Sequence, residues 1–468
     1  QSIRVIEILI NSFTRLPSNE GVYSAGVFAL SAITLLVSVI LFSVESTSHN
    51  HKEVLKVGLG ASAIAVGVGL IFSLIYAGKL AAIARNVPTN QYDVFTQTQD
   101  FGGMLTGFYL WIAAMVGLTA YFLVDRITNQ KKSGTTLAIM AAPVFFLLSA
   151  LLVHTTNLRV IQADMVFKVA EPFVQSNQWE MATLLYQRAI ELAPMEDHYY
   201  LFLGRSYFEH AKDTQSVEER DSLILKAAAE LRVAQAINPL NTDHTANLAR
   251  LYNWWASQAP DEAALRERGG IASQYFATAV NLSPNNMVLW GEWAILNIQV
   301  LDQPQKAYEL LSHAIEIDPG FSLTQGLMGD YYRMMADSTE DAQEKRLALE
   351  QAARYYQEAV GVHNKRDTSL KSSFLRYLAS TYIALADVSA GAESSGYQWE
   401  AIRVLEAAMV SDLPKSDGWR VQETLAGLYA SVGDRQTALK YANSALEGAA
   451  GSDISRIQDL IRSLQETP

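Results

Sequence analysis

The pattern of hydrophobic and polar positions changes near residue 158 of the 468-residue chain. Before that point the sequence consists of long apolar runs with few charges between them. After it, apolar positions recur at helical spacing among many charged residues, most of them acidic. Long apolar runs are typical of helices that cross a membrane, whereas a 3.6-residue period is typical of helices packed side by side in water. The pattern therefore predicts an all-α protein with a membrane half and an aqueous half.

Four segments of the first half contain no Asp, Glu, Lys or Arg over at least 20 residues each, and they are 22–44, 57–78, 101–124 and 134–153. A hydrocarbon core about 30 Å thick needs roughly 20 helical residues to cross it. We therefore predict a four-span transmembrane helical bundle within residues 21–158. In front of it, residues 1–20 have the spacing of an interfacial amphipathic helix, although a partner-binding helix would show the same spacing.

The second predicted span carries a ladder of small residues. Ala61, Ala65 and Gly69 lie four residues apart, a spacing that lets two helix backbones approach closely inside a membrane. The ladder would serve either packing within the bundle or a dimer face. No ionisable side chain lies inside any of the four spans, so the sequence shows no ion or proton path and a transporter is not favoured.

A helical repeat follows residue 160. Its second helix carries two alanines seven residues apart and a proline at its exit, as in Ala182, Ala189 and Pro194. Its first helix carries a small residue and then an aromatic one, as in Gly204 and Tyr207. Further copies of the second helix begin at Ala227, Ala272, Ala307, Ala352, Ala401 and Ala438. This is the tetratricopeptide pattern, and it predicts an α-solenoid of about seven repeats over residues 159–450 with a C-terminal capping helix at 451–468.

The prolines that end these repeats are unevenly spaced. Pro194, Pro239, Pro284 and Pro319 are separated by 45, 45 and 35 residues, whereas a tetratricopeptide repeat has about 34. The additional residues fall between the two helices of a repeat. Eleven residues make about three helical turns, so they lengthen both helices without rotating their packing faces. We therefore expect tall helix pairs with acidic tips.

Composition limits the chemistry that we expect. A net charge of −12 argues against nucleic acid as a partner, because binding phosphates needs clustered Lys and Arg. The chain has no cysteine and none of the common nucleotide-binding, hydrolase or zinc-protease motifs. His49 and His51 lie in a short loop between spans, where a solvated loop is the ordinary interpretation and metal binding the alternative. We expect no catalytic residue, no cofactor and no metal site.

The repeats offer a binding groove instead. In tetratricopeptide arrays the groove is lined by first-helix residues that face away from the second helix. That spacing selects a set of polar residues, and they are Arg205, Arg250, Asn253, Asp330, Arg333 and Arg376. Arginines at one register of neighbouring repeats suit carboxylates or other anions, because each guanidinium can hold two oxygens. The structural alternative is that they pair with Glu and Asp of adjacent helices.

Three stretches carry a resemblance to a known family. They are TTNLRVIQADMVFK, AIELAPMEDHYYLFLGRSYFEHA and INPLNTDHTANLARLYNWWA, and the resemblance extends over about 157–315. It is to the repeat-containing C-terminal portion of bacterial O-antigen ligase and polymerase-family membrane proteins. The resemblance implies transfer of glycans from a polyprenyl carrier by a larger membrane region with an extracytoplasmic loop. This chain has no such loop before its repeats, and His49 with Asn50 faintly resembles the His-Asn segment that follows it in the family.

Two hypotheses follow from these observations. The first is a non-enzymatic, multi-pass scaffold of the inner membrane, which contacts lipids and other membrane subunits and binds protein partners through its groove. Its setting would be envelope glycan assembly, or another membrane complex. The second is the C-terminal part of an O-antigen ligase or polymerase whose remaining spans lie outside this chain. Charges around the spans do not fix the orientation, whereas the resemblance places the repeats in the cytoplasm.

Overall fold

The computed structural model of the chain describes residues 10–11, 26–46, 51–85, 91–127, 144, 147–148, 151–362, 368–410 and 418–466. All regular secondary structure in these residues is helical, which confirms the all-α prediction. The chain divides into two compact units, Gln1–Asp213 and Thr214–Pro468. The predicted helix at 1–20, apart from residues 10–11, and the loop residues His49 and Asn50 lie outside the described residues, as does most of the predicted span at 134–153.

The described part of the first unit contains three long helices and then the first repeat helices. The long helices are α1 (Gly26–Ser46), α2 (His51–Arg85) and α3 (Gln91–Ile127). After a π-helical turn at His154–Leu158 come α4 (Arg159–Val169), α5 (Glu171–Gln175), α6 (Trp179–Leu192) and α7 (Asp197–Asp213). The long helices join the repeat helices by direct packing. Gly102 of α3 lies against the side chain of Gln162 in α4, and the hydroxyl of Tyr109 donates to Asn157.

The second unit is a row of helices in which each packs against its neighbours in sequence. Its helices are α8 (Val217–Ile237), α9 (Thr242–Ser257), α10 (Glu262–Leu282), α11 (Met287–Gln299), α12 (Pro304–Ile317), α13 (Ser322–Ser338) and α14 (Ala342–Val362). They continue with α15 (Thr368–Asp387), α16 (Gly391–Val410), α17 (Gly418–Ser431), α18 (Arg435–Gly448) and α19 (Ser452–Glu466). α19 lies at the end of the row, where it buries Ile457 and Leu464.

The repeat signature is visible in burial. The alanines that are seven residues apart in the second helix of each repeat are fully buried, at 0% exposure, and they are Ala182, Ala189, Ala227, Ala234, Ala272, Ala279, Ala307, Ala314, Ala352, Ala359, Ala401, Ala408, Ala438 and Ala445. A larger side chain at these positions would hold neighbouring helices apart. The small residue of the first helix has the same role. A Cβ at Gly329 would lie 2.7 Å from the ring of Tyr356 in the partner helix.

The prolines end the second helices in one common way. The residue before each proline leaves the helical region, with φ and ψ of −140° and 77° at Ala193 and −137° and 72° at Ser283. Asn238 and Asp318 adopt nearly the same angles. Proline disfavours the helical conformation in the residue that precedes it, which explains why all four helices stop there. In each case the N–H of that residue still donates to the carbonyl of the alanine four positions earlier.

The prediction of tall helix pairs is confirmed. α9 and α10 have 16 and 21 residues, and α13 and α14 have 17 and 21. By contrast, α11 and α12, which come from the 35-residue spacing, have 13 and 14. The insertions also carry acidic caps at their tips. The Asp261 side chain accepts from the N–H of Ala264 at 2.8 Å and begins α10, as expected for an N-cap aspartate.

One helix of the described residues is long and apolar enough to cross a membrane, and it is the Glu53–Ile83 part of α2, with a mean hydropathy of 2.1. The apolar segment Ala29–Val44 of α1 is shorter. The four-span bundle therefore remains a prediction. Contact between α1 and α2 occurs at Gly58, where a Cβ would lie 3.1 Å from the Ser43 hydroxyl oxygen. Of the predicted ladder, Ala61 is half-buried, and Ala65 and Gly69 are exposed.

Candidate functional site

The six predicted groove residues lie on the first helices of their repeats. Arg205 is on α7, Arg250 and Asn253 on α9, Asp330 and Arg333 on α13, and Arg376 on α15. Arg205 belongs to the first compact unit and the other five to the second. The second unit therefore brings five of the six onto three first helices of one row. The use of these residues as a binding site remains a prediction.

Arg250 connects two successive first helices. Its Nε donates to both carboxylate oxygens of Glu292 in α11, at 3.1 and 2.9 Å. The two side chains are 39% and 29% exposed, so the pair lies at the surface of the row. Both oxygens of the carboxylate face this arginine. The contact is therefore an ion pair between neighbouring repeats, which is the structural alternative to the binding of an external anion.

Asp330 and Arg333 form a second connection. The hydroxyl of Tyr356 in α14 donates to the Asp330 carboxylate, which ties the two helices of one repeat together. Arg333 donates from Nη1 to the Thr381 hydroxyl in α15 at 3.4 Å, and Thr381 is fully buried. Burial and the neighbouring Asp330 carboxylate both raise the pKa of Tyr356, so the phenol stays protonated and can donate at every physiological pH.

Arg376 and Asn253 are half-buried on their helices. Arg376 donates from Nη2 to the hydroxyl of Ser373, three residues earlier in α15, at 3.5 Å. Arg376 thus makes a contact within its own helix, whereas Arg250 and Arg333 contact the next repeat.

Arg205 differs from Arg250 although both follow the small residue of their helix. Its side chain is exposed, and its guanidinium carbon lies 5.5 Å from the centre of the Phe202 ring. Among the described residues of its own unit, no carboxylate lies within 4.0 Å of it. Burial raises the pKa of the nearby Tyr186 to about 12 and the Arg205 charge partly opposes this shift. Among the described residues of its unit, Arg205 is therefore an exposed arginine without an ion pair, and anion binding by it remains a prediction.

Sequence reasoning missed a polar contact that joins successive repeats. A side chain near the end of one second helix bonds to the aromatic residue of the next first helix. Gln187 donates to the Tyr207 hydroxyl at 2.8 Å, and Trp293 donates to the Ser273 hydroxyl at 2.8 Å. Arg232 and Tyr252 form the same contact at 2.6 Å. The sequence did carry a signal for this contact, because the two residues of each pair are 20 positions apart.

Comparisons with known proteins return helical repeat structures at low similarity. No protein-family model and no curated protein matches this chain. A tetratricopeptide repeat protein from Parabacteroides merdae is 12% identical, with a TM-score of 0.35 over 65% of this chain and 99% of that one. A thermophilic TPR protein in Thermus thermophilus is 20% identical, with a TM-score of 0.31 over 48% and 100%. PilF of Pseudomonas aeruginosa is 15% identical, with a TM-score of 0.36 over 56% and 97%.

The chain is thus an all-helical protein that contains tetratricopeptide repeats. This conclusion rests on its own buried alanines, common proline exits and paired helices. The comparisons do not show the relationship to O-antigen ligases that residues 157–315 suggested.

Proposed function

We propose that this protein is a membrane-anchored tetratricopeptide scaffold that binds protein partners. The observation that carries the proposal is the surface of α2. Several of its large apolar side chains are exposed among the described residues, and Ile64 is 70% and Ile71 is 62% exposed. Covering a side chain of this size stabilises it by about 1.5–3 kcal/mol, and a run of them far exceeds the apolar patches usual on water-soluble proteins. The acyl chains of a lipid bilayer would bury these side chains, and the helix is long enough to cross one.

The predicted spans at 22–44, 101–124 and 134–153 complete the proposed bundle and make the protein multi-pass. Lipids and other membrane subunits are then its neighbours in the inner membrane, with the repeats on the cytoplasmic side. The link to envelope glycan assembly rests on the family resemblance alone. No observation in the described residues favours the ligase alternative, whose candidate residues His49 and Asn50 lie outside them.

Partner binding is proposed for the predicted groove residues, which are Arg205 in the first unit and Arg250, Asn253, Asp330, Arg333 and Arg376 in the second. Among these residues, Arg205 is the one to which we assign the binding of an external anion. Arg250 already faces both carboxylate oxygens of Glu292, so an external anion would have to displace this pair. Arg205 has no such competitor among the described residues of its unit, and an arginine held beside an aromatic ring keeps its outer donors available for a carboxylate.

Membrane anchoring is tested by fractionation of cells that express the full chain. We expect the wild type to stay with the membranes after alkaline carbonate washing and to be released by detergent. Replacing Ile64 and Ile71 together by arginine places two charges in the proposed span, each costing about 2.5–3.5 kcal/mol at a helix centre. The double variant should leave a smaller share of the protein in the carbonate-resistant fraction, because the other proposed spans still anchor it, while Ile64→Leu should match the wild type. Release of the wild type by carbonate would refute the anchor.

Partner binding is tested separately by a pull-down from mild detergent. Arg205→Glu should remove at least one partner that the wild type retains. The matched control is Arg266→Glu, because Arg266 is an exposed arginine on a helix tip, 73% exposed, and pairs with Glu262 of its own helix. An unchanged set of partners in Arg205→Glu would refute the assignment of this residue.

A further inference from the structure

The second unit changes height between two neighbouring helix pairs. α14 is longer than α12, with 21 residues against 14, and α13 is longer than α11, with 17 against 13. At 1.5 Å per residue the longer second helix extends about 10 Å further. The extension lies at the end where the two helices of a pair are connected. Among the described residues of the row, the shorter pair beside it therefore provides no helix of the same height for this extension to pack against.

A cavity of about 640 Å³ occupies this step. It lies between the first turn of α12, the second half of α13 and the first half of α14. We call it the step cavity, and the residues that matter for its chemistry are Tyr308, Tyr331, Tyr332, Met335, Glu344 and Leu347. Its volume is in the range of sites that bind small ligands or a few side chains of a partner.

The walls of the step cavity are aromatic and apolar. Tyr332 lies 5.3 Å from Tyr331 and 6.4 Å from Tyr308, measured between ring centres, and it stacks on Tyr355 at 5.6 Å. Burial raises the pKa of the Tyr332 hydroxyl to about 12, so this hydroxyl remains neutral. Met335 and Leu347 are 37% and 55% exposed, so their side chains are accessible to a partner at the cavity.

One carboxylate, that of Glu344, lines the cavity, and the turn between α13 and α14 beside it, which we call the mouth, is acidic. The turn between α13 and α14 and its flanks carry exposed carboxylates, and they are Asp337, Glu340, Asp341 and Glu344. The two nearby cations Lys306 and Arg346 are engaged elsewhere, the first with Glu309 at 3.5 Å and the second with Glu350 and Glu393. Lys345 is the one further cation of this turn, so negative charge prevails among the described residues at the mouth.

We propose that the step cavity binds a segment of a partner protein that carries a lysine or arginine next to a large apolar residue. The apolar side chain would lie against Met335 and Leu347, and methionine adapts its shape to such contacts. The cation would lie over the tyrosine rings and near the acidic mouth, where cation–π attraction adds to charge attraction. The acidic mouth disfavours an anionic lipid headgroup. This inference rests on the proposed scaffold function and gives the chemistry of one partner at a second surface, separate from Arg205.

The test is a selection of peptides by the full-length protein in detergent micelles. The probe is a display library of random peptides of about 12 residues, long enough for one docking segment. We expect enrichment of Lys or Arg beside Leu, Ile, Met or Phe. The best peptide, labelled with fluorescein, should bind the wild type more weakly as salt rises. Leu347→Glu and Glu344→Lys should each weaken its binding at least about tenfold, or roughly 1.4 kcal/mol.

The matched control is Leu225→Glu on α8, because Leu225 is also an exposed leucine, at 57%, on a tall second helix of the same unit. It should leave peptide binding unchanged, and circular dichroism should show the same helix content in all variants. Enrichment of acidic peptides, no enrichment, or self-association of the protein that Leu347→Glu abolishes would each overturn the proposal. Peptides that depend on Arg205 and not on Leu347 would also overturn it, while supporting the scaffold function.

Discussion

Among the described glycines of the second unit, Gly326 is the one at which an added Cβ would meet the shortest contact, and it gives the sharpest prediction about stability. A Cβ at Gly326 of α13 would lie 2.2 Å from Cε1 of the Phe374 ring in α15, and 2.7 and 2.9 Å from two further ring atoms. Ordinary van der Waals contact begins near 3.4 Å, so Gly326→Ala requires a displacement of about 1.2 Å. Phe374 is only 4% exposed. The ring therefore has no free space into which it could move.

The magnitude follows from two opposing effects. Alanine is better than glycine inside a helix by about 1 kcal/mol. Overpacking of a filled core costs about 1–3 kcal/mol and sometimes more, and the overlap here is large and falls on a rigid ring. We therefore expect Gly326→Ala to destabilise the protein by about 1–2 kcal/mol net. For a unit of this size, each kcal/mol lowers the melting temperature by about 2–4 °C.

The assay is thermal unfolding of the full chain in detergent, followed by far-ultraviolet circular dichroism. Gly270→Ala is the matched control, because Gly270 also lies inside a helix but a Cβ there would have nothing within 4 Å. It should raise the melting temperature through helix propensity alone, by up to about 1 kcal/mol of stability. If Gly326→Ala melts at or above the wild type while Gly270→Ala is stabilised, the close contact between α13 and Phe374 is wrong.

Three further predictions concern single contacts. Above pH 10 an unfolded tyrosine loses its proton while native Tyr186 keeps it, so unfolding releases a proton and stability should fall between pH 10 and about pH 12. Tyr186→Phe should lessen this fall in pH-dependent melting, and an unchanged fall would contradict the raised pKa of this phenol. A double-mutant cycle on Arg250 and Glu292 should give a coupling of about 0.2–1 kcal/mol, typical of a surface pair, and no coupling would show that the pair does not form in solution. Asp261→Ala should cost about 1 kcal/mol in urea unfolding because α10 loses its N-cap, while Asp261→Asn should cost little; equal losses in both variants would contradict the capping role.

Most of the fold could be read from local pattern. Alanines at 182 and 189, and their counterparts, predicted where helices touch, because a small residue at a fixed helical register is needed wherever two backbones approach. The prolines predicted the helix ends, because their effect on the preceding residue is local. The change from 45 to 35 residues predicted tall and short pairs, because helix length depends only on the number of residues inserted.

The candidate site could be predicted only in part. Arg205 and Arg250 both follow the small residue of a first helix, and the sequence gives them the same role. Their surroundings differ because Glu292, from a helix 42 residues further along the chain, meets Arg250. The repeat pattern around Arg250 does not show which side chain of a distant segment will contact it.

The sequence by itself therefore determined the helical class, the repeat, its register and its helix lengths, because periodic burial, small residues and prolines act over one or two turns. Only the tertiary structure decided which groove arginine faces a carboxylate, how closely Phe374 approaches Gly326, and that a short pair beside a tall pair leaves a tyrosine-lined cavity at the step. These features depend on side chains from separate helices meeting in space, and the identity of such neighbours is fixed by packing rather than by spacing along the chain.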